Sequence, residues 1–338
     1  MAPGDPRRHH FVPQFYLRRF ADGSGRLGVI DLHSPKQRRT VPVGDAAVIK
    51  DFYTVVHANG HDTTMVESVL AEIDGHAARL IDRVASGVLP LTGLDRFHFS
   101  LWLAIQAVRG PGPRRQMEAL GATLAKIEIA VGATRERVRE GLLERHGVEP
   151  SEDEVDTVLK SVQRGAPGVD VVVPQNALVP AMLKLGFEAG GFFYDRQWTV
   201  LRAEVPGILT SDQPIALYTE PENRRPFEGI GIATADEVLV PLDRSNVLVA
   251  HRLYDFPTRV VRVSAADLPN LNRQLAQFAH GEVYGHPDDI EKTSTKLLPR
   301  PDRPVAQVDG GFIKNLDLPD GMNRAPIRRR PRRYRDSQ

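Results

Sequence analysis

Four places in the chain set polar side chains with acid–base or ligand chemistry into apolar surroundings: His9-His10, Glu67, Gln106 with Arg109, and Ser211-Asp212. The chain has no cysteine, so thiolate nucleophiles, disulfides and Cys-type zinc sites are excluded, and any metal must be held by His, Asp or Glu. His9, His10, Glu67 and Asp212 are therefore the candidate ligands of a divalent metal ion. Asp212, oriented by Ser211, and His10 are the candidate catalytic groups, with Arg109, Gln106 and Gln14 as candidate binders of an anionic substrate. Converging on one point, these residues would make a metal-dependent hydrolase acting on a phosphodiester or another anionic substrate.

Each residue also has a plainer reading. Adjacent histidines on an extended segment face opposite ways, so His9-His10 offers at most one ligand or base to any one point. Glu67 borders an apolar stripe, where a carboxylate is either a solvated flank or a buried, paired group. Gln106 and Arg109, three apart on a helix, share a face, and an Arg109–Glu67 ion pair between neighbouring helices is expected. Ser211-Asp212 precedes Gln213-Pro214 after an apolar run, which is the composition of a turn whose side chains satisfy local N–H groups. On this second reading the set is a buried polar network that packs the N-terminal segment against the helices of a non-catalytic interaction protein. A serine nucleophile is disfavoured because no Gly-x-Ser-x-Gly surrounds Ser211, and no P-loop, Gly-x-Gly-x-x-Gly, His-Glu-x-x-His or EF-hand spacing occurs.

The elements that must position these residues follow from periodicity. Phe11 to Phe20 reads as a short helix with Pro13 in its first turn, Leu27 to Leu32 and Phe52 to Val56 as strands, the latter stopped by Asn59-Gly60. From Met65 to Ala85, Val66, Val69, Leu70, Ile73, Ala77, Leu80, Ile81 and Val84 form one helical stripe. A second helix over Asp95 to Val108 turns Phe97, Leu101, Ile105 and Val108 inward and stops at Gly110-Pro111-Gly112-Pro113. Charged helices follow at Arg114 to Val131, Arg135 to His146 and Ser151 to Gln163, the last opened by a capping box of Ser151 and Glu154. A helix over Asn176 to Ala189 ends at Gly190-Gly191, taken as punctuation. Short strands follow at Trp198 to Arg202, Ile208 to Leu209, Ile215 to Tyr218, Val238 to Val240 and Val247 to His251, then a helix from Asp267 to Ala279. The pattern predicts an α+β fold, helices packed on a mostly antiparallel sheet. Residues 1–298 form a single domain with a helical insertion at about 114–165, and 299–338 a poorly ordered Pro/Arg-rich tail.

The chain of 338 residues carries a net charge of +1, with 41% hydrophobic and 26% charged residues, a globular composition. Seven arginines between Arg324 and Arg335 dominate the tail; without residues 324–338 the body has 37 basic against 42 acidic residues. An acidic body excludes a general nucleic-acid surface, whereas the tail is either solvated or a nucleic-acid contact. No apolar leader follows the first arginines and no run approaches a membrane span, so the reading is cytoplasmic with no membrane partner.

The segment His9-His10-Phe11-Val12-Pro13-Gln14-Phe15-Tyr16-Leu17-Arg18-Arg19-Phe20 resembles the opening signature of the bacterial family known as domain of unknown function 4238. Asp51-Phe52-Tyr53, Val66-Glu67, Ile73-Asp74, the helix with Gln106 and Arg109, Leu209-Thr210-Ser211-Asp212-Gln213-Pro214, Val240-Pro241-Leu242 and Leu271-Asn272 agree with it in order. The chain departs at Asp74, where a second glutamate is expected, and at Gln213, where asparagine is usual. The resemblance implies an architecture and candidate positions from His9 to about Tyr284, and no mechanism.

Overall fold

The computed structural model describes residues 7–57, 60–62, 64–165, 170–223, 229–252 and 260–299. The first half runs β1 (Arg8–His10), α1 (Gln14–Leu17), β2 (Arg26–Asp31), β3 (Arg38–Pro42), β4 (Val48–Lys50), β5 (Val55–His57), β6 (Gly60–Asp62), α2 (Thr64–Ser86), α3 (Gly93–Val108), α4 (Pro111–Gly132), α5 (Arg135–His146) and α6 (Glu152–Gln163). The second runs α7 (Gln175–Tyr194), β7 (Gln197–Ala203), β8 (Thr210–Ser211), β9 (Ala216–Tyr218), β10 (Glu237–Pro241), β11 (Asn246–His251), β12 (Val260–Val263), α8 (Leu268–Ala276), β13 (Glu282–Gly285) and α9 (Pro287–Lys292). The fold is α+β with mainly antiparallel sheets, as the pattern predicts. The residues of the expected tail lie outside the described ones.

The described residues fall into two compact units, one over 7–114 and 179–299, the other over 115–178. At the centre of the first is α3. From Phe99 to Val108 every residue is buried, Ser100 and Gln106 included, which is the condition of a helix that is apolar all round. Phe97, expected inward, is half exposed, whereas its neighbour Arg96 is buried in its place. Along α2 Val66, Leu70, Ile73, Ala77, Leu80, Ile81 and Val84 of the expected stripe are buried, and Val69 is partly exposed. On α7, Gly186 faces α3 so closely that a Cβ there would lie 2.4 Å from Ile105 Cδ1. Gly190-Gly191, expected to end this helix, lie inside it; a Cβ on Gly190 would meet Leu101 only at ordinary contact distance and one on Gly191 would meet nothing within 4 Å, so neither marks a turn. The Gly110-Pro111-Gly112-Pro113 break is sharper than expected: α4 starts at Pro111, where a missing N–H costs nothing.

Two principal sheets cover this helical layer. Five strands lie in the order β12-β7-β11-β10-β9, antiparallel apart from β12, which runs parallel to β7. Phe99 of α3 meets Trp198 of β7 edge-on, 5.7 Å between ring centres, and Arg202 donates to Ala85 O at the end of α2. Four antiparallel strands lie in the order β3-β2-β13-β8. The strand expected at Ile208-Leu209 forms instead at Thr210–Ser211 and joins this second sheet. The strand expected from Phe52 starts at Val55, because Asp51 adopts a left-handed conformation (φ 57°) and turns the chain there.

In the second unit α5 and α6 form a hairpin. Ser151 and Glu154 make the capping box in full, and Arg135 and Arg139 bridge to Glu152, Asp156 and Glu149. No residue of α4 or α5 is buried, and Val155 alone of α6 is. This unit is held by helix propensity and charge pairing more than by a core.

Candidate functional site

β1 pairs with β4, His9 opposite Ile49, and alternation along it separates the two histidines. His9 is fully buried, its ring stacked on Tyr53 at 5.5 Å. Its Nδ1 accepts the Tyr53 N–H at 2.7 Å, which places the ring proton on Nε2, 3.2 Å from Glu67 Oε1 in the first turn of α2. His10 is half-buried, with Nε2 3.1 Å from Gly44 O and 3.3 Å from Gln14 Nε2. Burial pushes the His10 pKa below its ordinary value; the Gly44 carbonyl opposes this, while the charges of Arg8 and Arg109 add to it.

Gln106 and Arg109 do share a face. Gln106 Nε2 donates to Phe11 O at 3.1 Å, and its Oε1 accepts from Arg109 at 2.7 Å. Arg109 is fully buried, yet its ion partner is Asp74 (3.2 Å) and not the expected Glu67. Glu67 is taken by His9; Asp74, seven residues on, presents the same face of α2 two turns along. The pair meets end-on through one bond, leaving Arg109 Nε and Asp74 Oδ1 buried without a partner among the described residues. Tyr53 closes the cluster by donating to Arg109 O.

Ser211-Asp212 forms the turn of the plainer reading, and more. Ser211 Oγ accepts the Gln213 N–H and donates to Gln213 O. Asp212 Oδ1 accepts the His280 N–H at 2.7 Å, and Oδ2 accepts those of Gly281 and Glu282 at 2.6 and 3.0 Å. The carboxylate thus anchors the start of β13 beside β8. Burial pushes its pKa up to about 6 against the pull of these three donors. Gln213 Nε2 reaches Ala107 O on α3 at 3.0 Å, a span for which the glutamine found here is one methylene longer than asparagine.

Residues outside the sequence-based set complete the picture. Tyr16 is fully buried, its hydroxyl 2.8 Å from both Thr210 Oγ1 and Pro241 O, so it joins the two sheets. Arg19 donates to Leu242 O and pairs with Asp82 and Asp243. Arg96 lies 3.4 Å over the Trp198 ring and donates to Tyr194 O, while Arg196 donates to the carbonyls of Ile232, Ala235, Asp236 and Ala250; burial lowers both arginines to about 10. His251 and Glu237, cross-strand neighbours on β11 and β10, are a buried pair at 3.4 Å. Burial of arginine and tyrosine has no periodic signature, so only the apolar frame of the opening segment hinted at any of this.

The candidate metal ligands His9, His10, Glu67 and Asp212 are not brought to a common point. Among the described residues no three His, Cys, Asp or Glu side chains group closely enough to hold a metal ion. His9 and Glu67 face each other, His10 turns to Gly44, and Asp212 is fixed to the backbone of β13. The fold and site thus define an α+β protein in which an N-terminal polar segment clasps helices and sheets together. The model of the family described as protein of unknown function (DUF4238) matches residues 8–289, and the chain belongs to this family. None of the curated proteins and none of the solved structures matches it. Among the described residues no helix is long and apolar enough to cross a membrane.

Proposed function

We propose that this chain is a non-catalytic interaction protein and that the polar residues of the family's opening motif form its internal clasp. One observation carries the reading: both oxygens of Asp212, the residue best suited by sequence to act as base or ligand, accept backbone N–H groups of His280, Gly281 and Glu282. The companions have similar duties, Gln106 to Phe11 O, His9 to Tyr53 N and Ser211 to Gln213. A group that must bind substrate or metal keeps a donor or lone pair aimed at open space; the ones named here are engaged by the protein's own main chain. Exposed aromatic side chains on α3 and α7, Phe97, Phe187, Phe192 and Tyr194, give the folded body apolar surface suited to a protein partner. The arginines between 324 and 335 supply the charge for an anionic partner such as nucleic acid.

Calorimetric titration of Mg2+, Mn2+ and Zn2+ into the wild type, Asp212→Asn and His9→Ala separates this from the metal-dependent hydrolase. The clasp predicts no divalent-ion isotherm that either substitution abolishes. Stoichiometric binding in the wild type that is lost in Asp212→Asn, with the fold intact by circular dichroism, would restore the hydrolase.

A further inference from the structure

A cavity of about 420 Å³ opens between the β7–β8 connection, α8 and the end of α9, and none of its lining residues belongs to the clasp. Its size is that of sites which enclose small organic ligands. The wall is apolar in Val205, Pro206, Leu209, Leu268, Pro269 and Leu298. The wall is also fixed. Asn272 on α8 accepts the Leu209 N–H at 2.9 Å and donates to Gly207 O at 2.7 Å, tying α8 to the β7–β8 connection. A Cβ on Gly207 would lie 3.0 Å from Leu268 Cδ2, so the β7–β8 connection and α8 are closely packed there.

Charge is one-sided at the mouth. Asp289, the one carboxylate of the lining, is held by Arg244 through Nε (2.9 Å) and a terminal nitrogen (3.2 Å), so its charge is answered from outside the cavity. Arg273 and Lys292 line the cavity as well and are exposed; Arg273 donates to Asn270, and among the described residues neither cation has an ion pair. The hydroxyls of Thr293 and Ser294 lie in the same lining. An apolar wall beneath two unanswered cations complements a molecule with an apolar body and one anionic head.

We infer that this cavity is a binding site for an amphipathic organic carboxylate, its hydrocarbon body against Leu209 and Leu268 and its carboxylate at Arg273 and Lys292. The inference is independent of the clasp and holds whichever reading of Asp212 survives. A free carboxylate is the better match than inorganic phosphate, because the lining is mostly apolar and its cations stand at the rim.

The test is titration of the full chain with dodecanoate, dodecanol and inorganic phosphate, followed by calorimetry and ligand-observed NMR. Dodecanoate should bind at one site, dodecanol at least tenfold more weakly, and phosphate should not compete. The charge-neutralised pair Arg273→Gln/Lys292→Gln should weaken dodecanoate tenfold or more and leave dodecanol unchanged, since both side chains are exposed and unfolding is not at issue. Val205→Trp, at a position 43% exposed, fills the mouth and should abolish both. Three outcomes overturn the inference: no dodecanoate binding, dodecanol as tight as dodecanoate, or binding that neither variant alters while melting temperatures stay at the wild-type value.

Discussion

Replacing Arg109 by methionine tests the clasp at its most buried charge. Methionine keeps most of the apolar stem and removes the guanidinium, which strands two partners. Asp74 loses its cation; breaking a buried pair by removing one member costs about 3–5 kcal/mol, to be discounted because the Asp74 side chain is 21% exposed and in part screened. Gln106 Oε1, buried 2.7 Å from Arg109, loses its donor at about 1–3 kcal/mol. Together these give about 4 kcal/mol, a fall in melting temperature of roughly 8 °C at roughly 2 °C per kcal/mol for a large chain. Urea unfolding followed by circular dichroism measures it. The double variant Arg109→Met/Asp74→Leu should recover half or more of the loss, because removing both charges leaves neither stranded. A single Arg109→Met variant within about 1 kcal/mol of wild type would refute the argument and return Arg109 to the role of an anion-binding group.

Tyr16→Phe removes one hydroxyl that serves Thr210 and Pro241 and should cost about 1–3 kcal/mol by urea unfolding, with no cavity to confuse the result. Asp212→Ala strands three N–H groups, so amide exchange of His280, Gly281 and Glu282 should accelerate well ahead of that in β10 and β11; uniform protection would show that the carboxylate does not anchor β13. The folded His10 titrates below its ordinary value, so the unfolded chain takes up a proton first as pH falls. Its contribution to stability is complete above about pH 6.5 and is lost as pH drops from there through the lowered folded value. Urea midpoints at pH 7.5 and 5.5 should therefore fall less in His10→Gln than in wild type, and a wild-type His10 titration midpoint above 6.5 by NMR would contradict this.

The long helices were legible because their signal is repeated along the chain: α2 shows its stripe over 23 residues, and α6 announces its start through Ser151 and Glu154. Strands β7, β10 and β11 were legible for the same local reason, as continuous apolar runs between turn residues. The glycines Gly190 and Gly191 misled because a glycine pair that ends a helix and one that the helix simply runs through look alike in sequence. Likewise β1, β3 and β4 are too short or too polar to stand out, and form because β2 and the opening segment offer them partners.

The chemistry divides along the same line. Sequence alone determined which residues are polar within apolar frames, that Gln106 and Arg109 share a helical face, and that His9 and His10 diverge, since each follows from the period of one element. It could not determine that Glu67 belongs to His9 and Asp74 to Arg109, or that Asp212 serves β13 some seventy residues on. Those pairings join distant segments, and an ion pair or a turn carboxylate is chosen by which donor lies within about 3 Å when the sheets and helices close, a distance that no local pattern encodes.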